Sequence, residues 1–406
     1  MKTYTKNQLL FIKNLMFYSI FISFFLSCKE GENIKEIEIK GIPELQIDLL
    51  NGDTNNLKEF TNVFDKPKII SLKSKDSSFF VASIEKLIVF NNEIFILDDR
   101  FSNLLRFDST GYFINNYGKI GLGKNEYSKI NDFDIDTINK WIIIFSNSDK
   151  SLYYYSLETG AFIKRVNIKL FGSQICALPN NQIMLYRNFS NEAKSKDKDY
   201  NIIIIDSVGK AISIAFPFNS TISFIEWRAS GFLRKTNGDL FFLNPFSDTI
   251  FKYHENSFEP FIETNILTEN IRKIREDHDK LFKSKAILDS NASYMGSSFL
   301  KNDQFIVFDY AKDRRLKTAV YDIKKNTFIC MSTKFKTDPL IALALTPVYL
   351  KSDNTIFFKF NLKDLLRTQS KYPELFKKLS DINQIILKDT TQKTGAFLLV
   401  SKIKIN

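Results

Sequence analysis

Short apolar runs recur along the chain in groups of three, each group containing a tight turn. The first group is Glu93–Leu97 (EIFIL), Asn103–Phe107 (NLLRF) and Tyr112–Tyr117, with Asp108-Ser109-Thr110-Gly111 before the last. Trp141–Phe145, Ser151–Tyr155 and Phe162–Ile168 form the second, turning at Gly160. The third is Gln182–Tyr186, Asn201–Ile205 and Ala211–Phe216, with Asp206-Ser207-Val208-Gly209 as its turn. Asp239–Leu243, Asp248–Tyr253 and Phe258–Ile262 follow, turning at Asn256; then Gln304–Phe308, Lys317–Asp322 and Phe328–Ser332, turning at Asn326. Runs of this length, rich in Ile, Phe and Tyr and bounded by Gly, Asn or Asp, predict strands joined by hairpin turns. The turns lie 49, 49, 47 and 70 residues apart. A near-constant period of this size, several short strands per unit, predicts the blades of an all-β propeller.

The long last spacing has a visible cause. Residues 266–288 place Ile271, Ile274, Leu281 and Phe282 at helical intervals among charges, predicting a helical insertion. A second helical insertion is expected over 362–387, where Pro373 suits a first helical turn and Leu375, Phe376, Leu379 and Ile382 keep an apolar stripe. A sixth unit must come from Asn354–Phe360 and Ala396–Ile405 together with the N-terminal side, where Ile34–Lys40 (IKEIEIK) alternates and is expected to join the last blade. Both termini then close a six-bladed ring and remove its exposed edges. A seventh blade would need a unit between 41 and 83, where only Lys68–Leu72 reads as extended.

The first 27 residues have a different pattern. Lys2, Lys6 and Lys13 precede the apolar run Asn14–Leu26, and Ser27-Cys28 follows at once. A basic start, a short apolar centre and a small residue before the cut make a secretory signal, and the run is too short for a spanning helix. Phe25-Leu26-Ser27-Cys28 looks like a lipobox, which implies a diacylglyceryl group on the Cys28 thiol. Acyl chains contribute about 0.8 kcal/mol per buried CH₂, so several chains on one cysteine hold a protein at a membrane. Lys29-Glu30-Gly31-Glu32 is similar to the acidic tag of surface-directed lipoproteins; attachment facing the periplasm stays open. The expected organisation is a signal peptide over 1–27, a lipidated linker over 28–35 and a propeller over 36–406.

Composition agrees with a packed β protein: 44% hydrophobic residues and 40 Phe, against 14 Gly and 9 Pro. The net charge of +11 falls to +8 without the three signal lysines, and its densest basic cluster, Lys194, Lys196 and Lys198, alternates with Glu192, Asp197 and Asp199. That mixture reads as a solvated loop, and no nucleic-acid partner is expected. Cys176 and Cys330 fall in predicted strands and are expected to be buried free thiols.

Three stretches resemble one family. Tyr117–Asp136 (YGKIGLGKNEYSKINDFDID) resembles the glycine-rich blade connector of six-bladed β-propeller lipoproteins of Gram-negative bacteria, relatives of the NHL and TolB-like propellers. Leu122-Gly123-Lys124-Asn125-Glu126 stands where that family has a Gly-Pro-Gly-Glu core. Phe246–Tyr253 (FSDTIFKY) is similar to its fourth-blade Ser-Asp-Thr-Ile strand, and Gly395–Ile405 to its closing strand. The resemblance implies a fold and a cell-envelope location, at the outer membrane, and no activity.

Catalytic patterns are scarce. Gly118 with Gly123-Lys124 nearly spells a phosphate loop, but Asn125 replaces the Ser or Thr that would hold Mg²⁺, and a strand rather than a helix follows. Two histidines, His254 and His278, stand outside any metal-ligand spacing, and no Gly-x-Ser-x-Gly elbow occurs. No catalytic residue, metal site or cofactor is therefore assigned. Asp98, Asp99, Asp149 and Asp309 fall near strand ends, where they either cap backbone or supply acid and base at a channel mouth. Arg100, Arg187, Trp227, Arg228 and Tyr310 are the candidate ligand-binding residues, since Arg and aromatic side chains anchor sugars, peptides and anions. The expected function is an envelope-tethered binding or protein-interaction module, held at the membrane by its lipid and presenting a propeller face to a protein or carbohydrate partner. The alternative is a hydrolase or lyase acting on carbohydrate or peptide in the channel.

Overall fold

Strands covered on both faces read as unbroken apolar runs, and strands with one face in water alternate. The propeller stacks both kinds in a fixed order. A computed structural model of the chain describes residues 34–49, 57–73, 80–189, 199–218, 231–269, 271, 292–312, 315–331, 346–371, 373–377 and 395–405. One compact unit runs from Glu36 to Asn406; of the unit before it, Met1–Lys35, only Ile34 and Lys35 are described.

From the N-terminal side come β1 (Lys35–Glu36), β2 (Leu45–Ile47), β3 (Leu57–Lys58), the one-turn helix α1 (Phe60–Val63) and β4 (Lys68–Ser71). Blade 1 is β5 (Lys86–Phe90), β6 (Glu93–Asp98), β7 (Asn103–Phe107) and β8 (Phe113–Asn116). Blade 2 is β9 (Asp132–Asp136), β10 (Trp141–Ser146), β11 (Ser151–Ser156) and β12 (Phe162–Asn167). Blade 3 is β13 (Gln174–Ala177), β14 (Ile183–Tyr186), β15 (Tyr200–Ile205) and β16 (Ala211–Pro217). Blade 4 is β17 (Leu233–Thr236), β18 (Asp239–Leu243), β19 (Thr249–His254) and β20 (Ser257–Thr264). Blade 5 is β21 (Tyr294–Lys301), β22 (Phe305–Lys312), β23 (Arg315–Asp322) and β24 (Thr327–Met331). Blade 6 is β25 (Thr346–Leu350), β26 (Thr355–Asn361), β27 (Ala396–Lys402) and, at its outer edge, β4. The ring thus has the six blades expected.

Within a blade the second and third strands are sandwiched between neighbours. Ile142 to Phe145 and Leu152 to Tyr155 are all buried, whereas the outer β12 (FIKRVN) alternates between half-buried and exposed. All five turn positions singled out by the pattern, Gly111, Gly160, Gly209, Asn256 and Asn326, have positive φ. Asp supplies the rest of the turn chemistry: Asp108 Oδ1 accepts the N–H of Thr110 and Tyr112, and Asp206 Oδ1 those of Val208 and Lys210.

The N-terminal side differs from expectation. Lys68–Ser71, not Ile34–Lys40, closes blade 6, pairing antiparallel with β27 from Lys68↔Val400 to Ser71↔Phe397. The earlier residues form a belt along the outer edges. Ile37 donates its N–H to Ile214 of blade 3, Ile39 bridges Phe258 of blade 4, β2 pairs parallel with β20, and β3 pairs parallel with β24. Phe60, the first residue of α1, and Phe64, just after its end, pack their rings 5.4 and 5.3 Å from that of Phe358 in blade 6. Past β4, Lys73 bridges Tyr112 of blade 1. One strand of chain so covers edges that would otherwise offer free N–H and C=O groups. The alternation of Glu36–Lys40 (EIEIK) is what an edge strand shows on any blade, so it marks an edge without saying which.

Gly111 sits at the seam between β4 and blade 1, at φ +90° and with Ser71 O and Ile70 Cγ2 where a side chain would lie. Gly238 has φ +86° and open space around it. A side chain in the left-handed region costs about 1–2 kcal/mol. Gly238→Ala should lose about that much, and Gly111→Ala more, in urea unfolding. Equal losses would show that the seam is not tightly packed.

The insertion expected over 362–387 is present as α2 (Leu362–Lys371) and α3 (Pro373–Lys377), with Pro373 opening its helix. Its remainder, and all of 266–288 except 266–269 and 271, lie outside the described residues.

Candidate functional site

The first strand of each blade stands nearest the axis, and three of the six are rich in polar residues: DFDID in β9, LRKT in β17, and GSS within β21. Side chains from them cross every gap between blades. Lys86 Nζ lies 3.0 Å from Asp132 Oδ1, and Asp132 Oδ2 accepts the Ile175 N–H at 2.8 Å. Gln174 Oε1 accepts the Leu233 N–H, and Thr236 Oγ1 donates to the Lys301 carbonyl. Ser298 Oγ donates to the Pro347 carbonyl, and the Tyr349 hydroxyl to that of Val89, closing the circle onto blade 1; Lys359 Nζ, from the second strand of blade 6, adds a bond to the Ile84 carbonyl at the same gap. Asp134 adds a second link between blades 2 and 3 through the Ala177 N–H, and holds Lys235 of blade 4 at 3.7 Å.

A cavity of about 150 Å³ opens inside this ring. Its walls come from blades 1, 4, 5 and 6, which meet only near the axis. Four charged side chains face it: Glu85, Arg234, Asp309 and Lys359. Ser297, Ser298 and Thr346 add polar groups, while Leu87, Leu316 and Val348 supply apolar wall.

Asp309 is placed by a distortion of blade 5. Met295 pairs with Tyr310 and Phe299 with Phe308, so Gly296, Ser297 and Ser298 together face Asp309 alone. Such a bulge re-aims side chains, here around a cavity. Gly296 makes the close approach possible, since a Cβ there would lie 2.8 Å from the Asp309 carbonyl oxygen. Asp309 is only 4% exposed, and its Oδ1 accepts one hydrogen bond, from Thr318 Oγ1 at 2.7 Å. Burial outweighs that bond and the nearby Arg234 charge, and pushes the carboxyl up to about 7.

The other three charges are incompletely matched. Arg234 uses Nε to donate to the Gly231 carbonyl at 3.2 Å, and among the described residues no carboxylate pairs with its two Nη groups. Burial lowers its pKa despite the charges of Asp132, Glu85 and Asp309. Lys359 donates to Ile84 O at 2.6 Å; burial lowers its pKa too, and Arg234 adds to the effect by repulsion. Glu85 has no side-chain hydrogen bond or ion pair among the described residues. Charges taken from water are normally paired. Here two cations and two acids share one space without closing on one another.

The residues singled out from the sequence lie elsewhere. Arg100 is exposed in the turn after β6, and its N–H donates to Asp98. Arg187 is buried just beyond β14. Tyr310 is buried in blade 5, its hydroxyl 3.0 Å from Cys330 Sγ. These three are on different blades and none lines the cavity. Trp227 and Arg228 lie outside the described residues, as does Cys28. Cys176 and Cys330 are buried thiols, neither of them in a disulfide.

Of the four carboxylates, Asp98 and Asp149 cap local structure: Asp98 accepts the Ala82 N–H at 2.7 Å, and Asp149 accepts Ser128 N–H and the Ser146 and Tyr153 hydroxyls. Asp99 is exposed beside Ser83. Asp309 alone of the four reaches the cavity. The phosphate-loop look-alike is a closed turn in which Glu126 accepts the Gly123 N–H and pairs with Lys119. Its amides point at its own side chain.

No curated protein matches the chain in sequence. The fold is similar to that of a protein described as exported, from Bacteroides fragilis NCTC 9343, with TM-score 0.71 at 17% identity over 89% of this chain and 99% of the other. It is also similar to a member of the DUF4221 family from Bacteroides vulgatus, with TM-score 0.53 at 9% identity over 87% and 99%. At such identities the likeness is one of fold. A family model described as a domain of unknown function, DUF4934, matches residues 44–386, from β2 of the belt to beyond β26 of the sixth blade, and the chain belongs to that family.

Proposed function

We propose that the chain is a lipoprotein of the cell envelope, cleaved before Cys28 and anchored through it to the outer membrane, and that its propeller is a binding module. The ligand enters the cavity between blades 1, 4, 5 and 6. One observation carries this reading: Arg234, Lys359 and Glu85 converge on a half-enclosed space without pairing with one another. A pocket with a few convergent polar groups on an apolar wall is what small-molecule sites look like, and a ligand of matching charge offsets the cost of keeping these groups from water.

A second reading, a hydrolase or lyase in the same channel, is favoured by Asp309, which can give and take a proton near neutral pH beside the Glu85 carboxylate. A thermal-shift screen of small polar compounds separates the two. Binding predicts hits recovered unchanged and lost in the Arg234→Met, Lys359→Met double variant. Conversion of a hit, abolished by Asp309→Asn, would replace the binding reading with the enzyme. A screen without hits would overturn both.

The address has its own test. Cys28→Ala should move the protein from the membrane fraction to the soluble periplasmic one. Unchanged membrane association would overturn lipid anchoring.

A further inference from the structure

We infer that the channel cavity is a carboxylate site: it takes a ring-sized carboxylate, whose charged group sits between Arg234 of blade 4 and Lys359 of blade 6. The inference rests on the binding reading above and names its ligand class.

Three observations carry it. The first is the state of the two cations. Arg234 lines the cavity and spends only Nε on the protein, which leaves the Nη edge of its planar fork without a carboxylate partner among the described residues. That edge matches the two oxygens of a carboxylate. Lys359 spends one N–H on Ile84 O and keeps two. The pair repel each other across the space, and an anion between them turns the repulsion into two attractions.

The second is the balance of the lining. Against Arg234 and Lys359 stand Glu85 and Asp309. Asp309 is held by the Thr318 hydroxyl in a dry corner that favours its neutral form, which leaves Glu85 as the other carboxylate of the lining. Ser297 and Ser298 bring no charge from β21, and Lys317, beside Thr318 on β23, lies 5.9 Å over the Tyr310 ring. With Asp309 protonated the lining carries a net positive charge.

The third is size. A cavity near 150 Å³ holds a molecule such as benzene. Apolar walls at Leu87, Leu316 and Val348 suit the face of a six-membered ring, and Ser297 and Thr346 suit hydroxyls on it. The ring belongs to a sugar acid or to an aromatic acid, and the probes below tell these apart.

Isothermal titration of the full chain at pH 6 with sodium glucuronate, sodium benzoate, glucose and glucosamine tests the assignment. One of the two carboxylates should bind at one site per chain, at least tenfold more tightly than glucose or glucosamine. Arg234→Met and Lys359→Met should each weaken it at least tenfold while keeping the wild-type circular dichroism. Arg234→Lys, which keeps charge and loses the fork, should fall between. Preference for glucuronate assigns a sugar acid; preference for benzoate assigns an aromatic acid. Tighter binding of glucose or glucosamine would overturn the carboxylate assignment and leave the binding reading standing. Undiminished carboxylate binding by both folded variants would overturn it as well. Binding of none of the four overturns the assignment, and the wider screen then decides the binding reading separately.

Discussion

Phe358→Ala should lower the free energy of unfolding by about 3–5 kcal/mol, the usual loss for a large aromatic side chain removed from a rigid core. Phe358 is fully buried on β26, opposite Leu399, within the cluster that joins blade 6 to Phe305 and Val307 of blade 5. Phe60 and Phe64 of the belt meet its ring, Phe64 edge-on at 85°. One substitution therefore empties space between the last blade, its neighbour and the belt, none of which can collapse without breaking β-ladders. Phe101→Ala is the control. Phe101 is 48% exposed and touches mainly Phe80, itself on the surface, so its loss should stay within about 0.5 kcal/mol. Urea unfolding of both variants gives the comparison, and similar losses would mean that the belt residues add nothing to closure of the ring.

The same cluster explains which parts of the fold the sequence makes legible. A strand buried on both faces has to be apolar almost throughout, so β6, β10, β14, β18 and β22 stand out as EIFIL, WIIIF, IMLY, DLFFL and FIVF. Their turns stand out because only Gly, Asn or Asp tolerates positive φ cheaply. The innermost strands carry no such signal. They face the channel: DFDID alternates, but with Asp at every second position it lacks the apolar run of a core strand, and LRKT shows neither an apolar run nor an alternation. A reading based on apolar runs thus finds three strands per blade and passes over the innermost ones, which bring Arg234, Ser297 and Thr346 to the cavity; Asp309 and Lys359 come from second strands. Belt strands of two or three residues are too short to show any period.

The candidate site is less legible for a second reason. Glu85, Arg234, Asp309 and Lys359 are separated by dozens of residues and meet only because a propeller returns each blade to the axis. Asp309 is visible as a strand carboxylate, but Asp98 and Asp149 look the same in sequence and prove to cap backbone. Two local signals were present. Lys359 interrupts an otherwise apolar strand, TIFFKFN, and Arg234 lies in a short segment between Gly231 and the Asn237-Gly238 turn. A charge inside an apolar strand is a better guide to a channel-facing position than an Arg in a loop. Arg100, in an exposed turn, illustrates the difference.

Asp309→Asn should stabilise the protein against wild type, and by a margin that grows with pH. The folded carboxyl titrates near 7, against 3.8 in the unfolded chain, because burial disfavours its charge. Between those two values the folded state holds a proton that the unfolded state has released. Stability therefore falls as pH rises through this window, by about 1.4 kcal/mol per pH unit, and levels off above pH 7. Asn keeps the shape and the acceptor for Thr318 Oγ1 but does not ionise. From pH 5 to pH 8 the gap between the two proteins should widen by about 3 kcal/mol in favour of Asn. Asp132, also raised by burial against the pull of Lys86, gives both proteins the same additional slope, so the difference isolates Asp309. Urea unfolding at pH 5, 6, 7 and 8 measures it, and parallel profiles would mean that Asp309 is ionised in the folded channel. In that case the cavity loses its net positive charge, and a site that is stable at low pH and destabilised at high pH gives way to one that is balanced throughout. With glucuronate or benzoate added equally to both proteins, a change in the gap at pH 6 would tie the proton on Asp309 to the same space the ligand fills, because a ligand that ignores Asp309 stabilises both alike.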